Sequence, residues 1–146
     1  MNVSNRWLPL GLLMAASCWV TVYSPAAIAD IEYVAKILNN CTPSSGVKDT
    51  TARYRATENA LQLTVEYFGP IEMAFVRLDK LASVTYTPGK GLEFRCENYE
   101  MCVGVAPVSK QGGKYKLEND VVAQNSFRFL GCESSALQDA ADEFNN

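Results

Sequence analysis

Four cysteines, Cys41, Cys96, Cys102 and Cys132, restrict the folds open to this chain more than any other residues in it. In an exported protein an even set of this kind reads as a disulfide framework. Four cysteines allow three pairings, and the spacing favours Cys96–Cys102 with Cys41–Cys132. The first bond would close a short turn, Glu97-Asn98-Tyr99-Glu100-Met101, between two strand-like runs. The second would tie the start of the domain to its end. Loop-closure entropy assigns ~2.4 kcal/mol to the short bond and ~4.6 kcal/mol to the long one. A thiolate metal site needs tighter C-x2–4-C spacing than Cys96 and Cys102 offer. Nor does the chain contain a C-x-x-C redox pair.

The framework reading depends on export, and the N-terminus supplies the signal for it. Asn2 to Arg6 is short, polar and singly positive, and Trp7 to Val22 carries no charge. Ser24-Pro25 breaks the apolar run, and the small residues Ala27 and Ala29 then precede Asp30. These are the parts of a secretory signal, with Ala27 and Ala29 at −3 and −1. Cleavage after Ala29 is expected, leaving residues 30–146 as one β-rich domain without a transmembrane segment. The apolar run is about 16 residues, short of the ~20 that span a bilayer. A second reading uses Cys18. Met14-Ala15-Ala16-Ser17-Cys18 loosely resembles a bacterial lipobox, in which the cysteine is lipidated and becomes the first residue. Trp19 to Val22 continue the apolar run past Cys18, which favours the cut at Ala29.

Losing Arg6 with the leader leaves 12 of the 13 basic residues against 16 acidic ones. Neither sign is clustered. Nucleic-acid binding would need a strong basic face, and a membrane-surface site a polybasic patch, so neither is expected. The chain has no histidine. That removes the usual general base near neutral pH, the Ser-His and Cys-His nucleophile pairs, and the commonest zinc ligand. Carboxylates are plentiful, but none is singled out as half of a catalytic pair. No enzyme activity and no cofactor are expected.

Ile31, Val34, Ile37, Leu38 and Cys41 recur at helical spacing, which predicts a helix over Asp30 to Asn40. From Thr51 the period becomes two. Leu61, Leu63, Val65 and Tyr67 alternate with Gln62, Thr64 and Glu66, the clearest half-buried strand. Ile71, Met73 and Phe75 repeat the pattern after Gly69-Pro70. Further strands are predicted near residues 53, 85, 94, 104 and 129, which makes seven. Tyr115 to Leu117 can add a short one, and Glu118 to Asn125 has no clear pattern. Leu137, Ala140, Ala141 and Phe144 then predict a closing amphipathic helix. One pattern conflicts. If Cys96 faces Cys102 across a hairpin, Met101, Val103 and Val105 share a face with Glu93 and Arg95.

Seven strands in hairpin succession followed by a C-terminal helix resemble the pleckstrin-homology-like barrel in the order of elements. The resemblance implies a small closed antiparallel barrel, with the N-terminal helix and two staples as additions. Other small β-barrels or sandwiches have similar strand spacing. Most domains of that fold bind lipid headgroups, peptides or proteins. The headgroup binders carry basic residues after the first strand, where this chain has Glu58-Asn59-Ala60.

The best candidate contact site is the turn between Cys96 and Cys102. A pinned loop loses less entropy on docking, and Tyr99 is the kind of aromatic that anchors interfaces. Glu97 and Glu100 flank it with charge. The ordinary alternative is a hairpin staple with a solvated tip. Arg53, Arg55 and Arg77 could hold an anion, or pair with Glu66 and Glu72 across strands. The expectation is an exported, non-enzymatic binding module, periplasmic or extracellular, for a protein or small ligand. The other class of reading is a structural or assembly component of the cell envelope, either soluble after cleavage or, on the lipobox reading, lipid-anchored at Cys18.

Overall fold

The protein is described by a computed structural model that covers the backbone of residues 25–146 and the side chains of residues 31–146. Residues 1–24 of the expected leader, Cys18 among them, and the side chains of Ala27 and Ala29 lie outside the described residues.

Helical spacing of apolar residues forms α1, Pro25–Asn39, and Val34, Ala35 and Leu38 are its buried stripe. Alternating residues then form β1 (Val47–Arg55), β2 (Ala60–Tyr67), β3 (Ile71–Arg77), β4 (Leu81–Thr87) and β5 (Gly91–Cys96). After the cysteine-bounded turn come β6 (Val103–Gln111), β7 (Lys114–Leu117), β8 (Val122–Gln124) and β9 (Ser126–Phe129). Helix α2, Ser134–Asn145, closes the domain. Each of the seven expected strands lies where its alternation predicts. β7 is the short addition suggested by Tyr115 to Leu117, and β8 comes from the stretch without a pattern.

The strands form two antiparallel sheets, not one closed barrel. The larger runs β1-β2-β3-β6, with β7 and β8 both pairing with β6; the smaller runs β4-β5-β9. The physical reason lies in two connections. The 3-10 turn at Leu78–Lys80 carries the chain from β3 into the other sheet, and the turn at Glu97–Tyr99 carries it back. Strands adjacent in sequence are therefore not paired at these two points, and the ladder that a barrel needs is broken.

The same topology corrects the expected hairpin at the cysteines. Strand β5 pairs with β4 and β9, while β6 pairs with β3, β7 and β8. The Cys96–Cys102 bond therefore joins the two sheets at their corner and does not staple a hairpin. This removes the conflict of faces. Leu92 and Phe94 enter the core from the small sheet and Val103 enters it from the large one. They never needed to share a strand pair.

The core lies between the inner faces of the sheets and beneath the two helices. Leu61, Leu63, Val65, Ala74 and Val76 come from the large sheet. Val84, Leu92, Phe94 and Phe129 come from the small one, and Leu137, Ala140 and Ala141 from α2. Helix α1 packs on β1 and α2, and α2 packs on β4 and β5. The Cys41–Cys132 bond, with Cα atoms 5.6 Å apart, joins the chain just after α1 to the chain just before α2. It lies beside the buried Thr50 hydroxyl. Both closed bonds fit an oxidising compartment.

An unpaired strand edge exposes backbone groups that invite aggregation. On β1, the Asn39 amide answers this at one point. Its Nδ2 donates to the Ala52 carbonyl at 2.7 Å, and its Oδ1 accepts from the Ala52 N–H at 2.8 Å. One side chain satisfies both backbone groups of a buried residue.

Candidate functional site

Two surfaces outside the core carry chemistry. The first is the cysteine-bounded turn. Cys96 and Cys102 hold its ends 5.6 Å apart. The Glu100 N–H donates to the Glu97 carbonyl at 2.8 Å, and Lys80 pairs with the Glu100 carboxylate at 2.7 Å. That pairing, chiefly the hydrogen bond, raises the Lys80 pKa. Asn98 and Tyr99 both have left-handed backbone, with φ of 48° and 60°. For a residue such as tyrosine that conformation is uncommon and costs of order 1 kcal/mol or more. The ring it sets out is 88% exposed, and Met101 beside it is 64% exposed. The fold thus holds an aromatic side chain in water on a braced segment.

The second surface is the outer face of the large sheet. Phe68, Gly69 and Pro70 join β2 to β3, and the Tyr67 N–H donates to the Pro70 carbonyl at 3.0 Å. This short turn sets the register, placing Ala74 opposite Leu63. Ala74 and Val76 consequently face the core, and Ile71, Met73 and Phe75 face outward with Gln62 and Thr64. On β6, Ala106 stands opposite Met73 and shares the outer face. An outward face would ordinarily be polar; this one is lined with apolar residues, and Met73, Ala106 and Val108 are buried there.

The burial arises because the sheet curls. Arg53 on edge strand β1 and Lys114 and Tyr115 on edge strand β7 line one cavity of about 360 Å³. Opposite edges can share a cavity only if the sheet bends around it. A neighbouring depression of about 590 Å³ shares Phe75 and reaches Arg77, Ala123 and the turn residue Met101. Gly104 on its floor leaves room for the Val121 side chain, which lies 2.6 Å from where a Cβ would stand.

Charge on this face differs from the pairing expected. Glu66 meets neither Arg53 nor Arg55. Lys48 Nζ lies 2.7 Å and Lys110 Nζ 3.2 Å from its carboxylate. Glu66 is buried, and the hydrogen bond from Lys48, then that from Lys110, lowers its pKa against the opposing effect of burial. Arg55 pairs with Glu58 at 2.8 Å and Arg77 with Asp79 at 2.8 Å. Arg53 has no ion pair among the described residues.

The lowered pKa of Glu66 fixes a sign. Its folded value lies below the ordinary 4.5, so the pairing contributes stability that is fully present above that pH. The contribution is lost as pH falls below it through the folded pKa. Chemical unfolding of wild type and Glu66→Gln between pH 6 and pH 3 checks this. Wild type should lose more stability on acidification than the variant, and parallel curves would contradict the role.

Of the residues singled out in the sequence, Glu97, Tyr99 and Glu100 lie together on the projecting turn, and both cysteine pairs are closed. The outer cavity was missed. Its signal was the tight turn: the connection Phe68-Gly69-Pro70 sets Leu63 opposite Ala74, which turns Met73 and Phe75 outward. No protein-family model, curated protein or solved structure matches this chain.

Proposed function

We propose that this chain is an exported, non-enzymatic binding module that engages a protein partner through the turn between Cys96 and Cys102. The observation that carries the reading is Tyr99, 88% exposed on a left-handed, disulfide-bounded backbone. Holding that conformation without a contact serves no packing purpose, since none of the turn residues 97–99 is buried. A pre-ordered loop loses little entropy on docking. Tyr99 and Met101 offer an aromatic and a polarizable thioether for an apolar pocket, and Glu97 adds a charge at the rim.

Export rests on the leader and on the closed disulfides. Cleavage after Ala29 retains Val34, Ala35 and Leu38, the part of α1 that packs into the core. The mature domain therefore keeps its buried helix face.

The test is capture of partners from the envelope or culture fraction with the oxidised domain and with Tyr99→Ala. An aromatic anchor at an interface centre contributes about 2 kcal/mol, or roughly a thirtyfold change in affinity. A partner held by wild type should be weakened by about that factor in Tyr99→Ala, with thermal stability unchanged. Equal affinity for both proteins would remove the loop from the interface.

A further inference from the structure

We propose that the cavity on the curled outer face of the large sheet is a binding site for a small amphipathic anion, a monocarboxylate with a short alkyl or aryl body. The site lies apart from the Cys96–Cys102 turn and stands or falls independently of the protein-partner reading.

The cavity combines an apolar floor with a cationic rim. Met73, Phe75, Val108 and Leu117 supply the apolar side, and Arg53, Arg55 and Lys114 supply the charge. No carboxylate is among its lining residues. Glu58 is already held by Arg55 at 2.8 Å, and Glu66 on the same face is held by two lysines. With Arg55 paired to Glu58, Arg53 and Lys114 remain as two rim cations without an ion pair among the described residues, and in a chain with a formal net charge of −3 they give the recess a local excess of positive charge. Charge complementarity therefore selects an anion, and the floor selects an apolar body.

Size limits the occupant further. About 360 Å³ falls at the small end of the range for small-molecule sites, roughly 300–1,000 Å³. A protein partner would instead need about 800 Å² of contact per side, which a recess between two curled edges does not present. Arg55 is already engaged, its Nη1 donating to the Gln62 amide oxygen at 3.2 Å and its Nη2 to the Glu58 carboxylate at 2.8 Å. The guanidinium left for a head group is that of Arg53, and a planar carboxylate suits it.

A second observation comes from Thr64. It is 1% exposed, lies two residues along β2 from Gln62, and stands opposite Met73 on the same face. Its hydroxyl has no hydrogen-bond partner among the described residues. Buried polar groups nearly always have one, so this face holds a polar group still to be satisfied, next to residues that line the cavity.

The experiment is a side-chain NMR titration of the oxidised domain at neutral pH with octanoate, octanol and octyltrimethylammonium. Octanoate should shift the Met73, Val108 and Leu117 methyls and the Arg53 and Arg55 guanidinium signals. Octanol and the ammonium should bind at least tenfold more weakly. The exposed double variant Arg53→Ala/Lys114→Ala should lose at least tenfold for octanoate while keeping its thermal midpoint, and Tyr99→Ala should bind as wild type does. Sedimentation with phosphatidylglycerol vesicles separates a free carboxylate from a lipid surface, and no co-sedimentation is expected. Equal binding of the three probes, an unaltered double variant, shifts centred elsewhere, or vesicle binding that depends on Arg53 and Lys114 would each overturn the proposal.

Discussion

Replacing Cys41 and Cys132 together by serine should lower the unfolding free energy by about 3–5 kcal/mol. The bond spans 91 residues of sequence, so its loss returns a large amount of freedom to the unfolded chain. It also ties the end of α1 to the start of α2, and these helices pack on one another. Serine at Cys132 would leave a hydroxyl in a buried position beside Thr50. For a domain of this size the thermal midpoint should fall on the order of 10–20 °C. The Cys96→Ser/Cys102→Ser pair should cost less, about 2 kcal/mol, because it opens a loop of only a few residues. Thermal and urea unfolding of the two double variants measures both. If the short bond proves the more stabilising, the view of the long bond as the main staple is wrong.

Phe94→Ala should cost about 3–5 kcal/mol. Phe94 sits mid-strand on β5, opposite Val84 on one side and Phe127 on the other, and has no exposed surface. Its ring meets Phe144 of α2 edge-on, with centroids 5.7 Å apart. Truncation would leave a void where the small sheet meets α2, and a close-packed core relaxes only partly into such a void. Phe144→Ala should cost less, because that ring is only half-buried. Urea unfolding of the two variants checks the order. A loss below about 1 kcal/mol for Phe94→Ala would mean that the core is not centred there.

Much of this fold was legible in alternation and spacing. Leu61, Leu63 and Val65 point to the core as their period predicts, and Val34 and Leu38 do so at helical spacing. The cysteine pairs follow from where the elements end. The sheet arrangement was not legible in the same way. Period two says that a segment is a strand, but not which strand it pairs with. Turns of a few residues at Leu78–Lys80 and Glu97–Tyr99 could have closed hairpins, and each instead carries the chain between sheets. The mismatch of Val103 and Val105 with Glu93 and Arg95 already marked the second of these turns, for it is what two strands of different sheets would show. The outer cavity was hidden for a related reason. Met73 and Phe75 have the hydrophobicity of core residues, and only the register through Phe68-Gly69 reveals that they face away from it. The curl that brings Arg53 to Lys114 joins opposite edges of a sheet, a relation that no local pattern encodes.

The exposed turn and the buried bonds describe one design. The two disulfides fix a small domain from both ends, and the shorter one also braces the segment that displays Tyr99. A photoreactive phenylalanine analogue at Tyr99, compared with the same group at the exposed Lys90 at the other end of β5, tests this most directly in cells that express the protein. The account predicts one discrete cross-linked protein from position 99, and none from position 90. No adduct at position 99, or the same adducts from both positions, would contradict it.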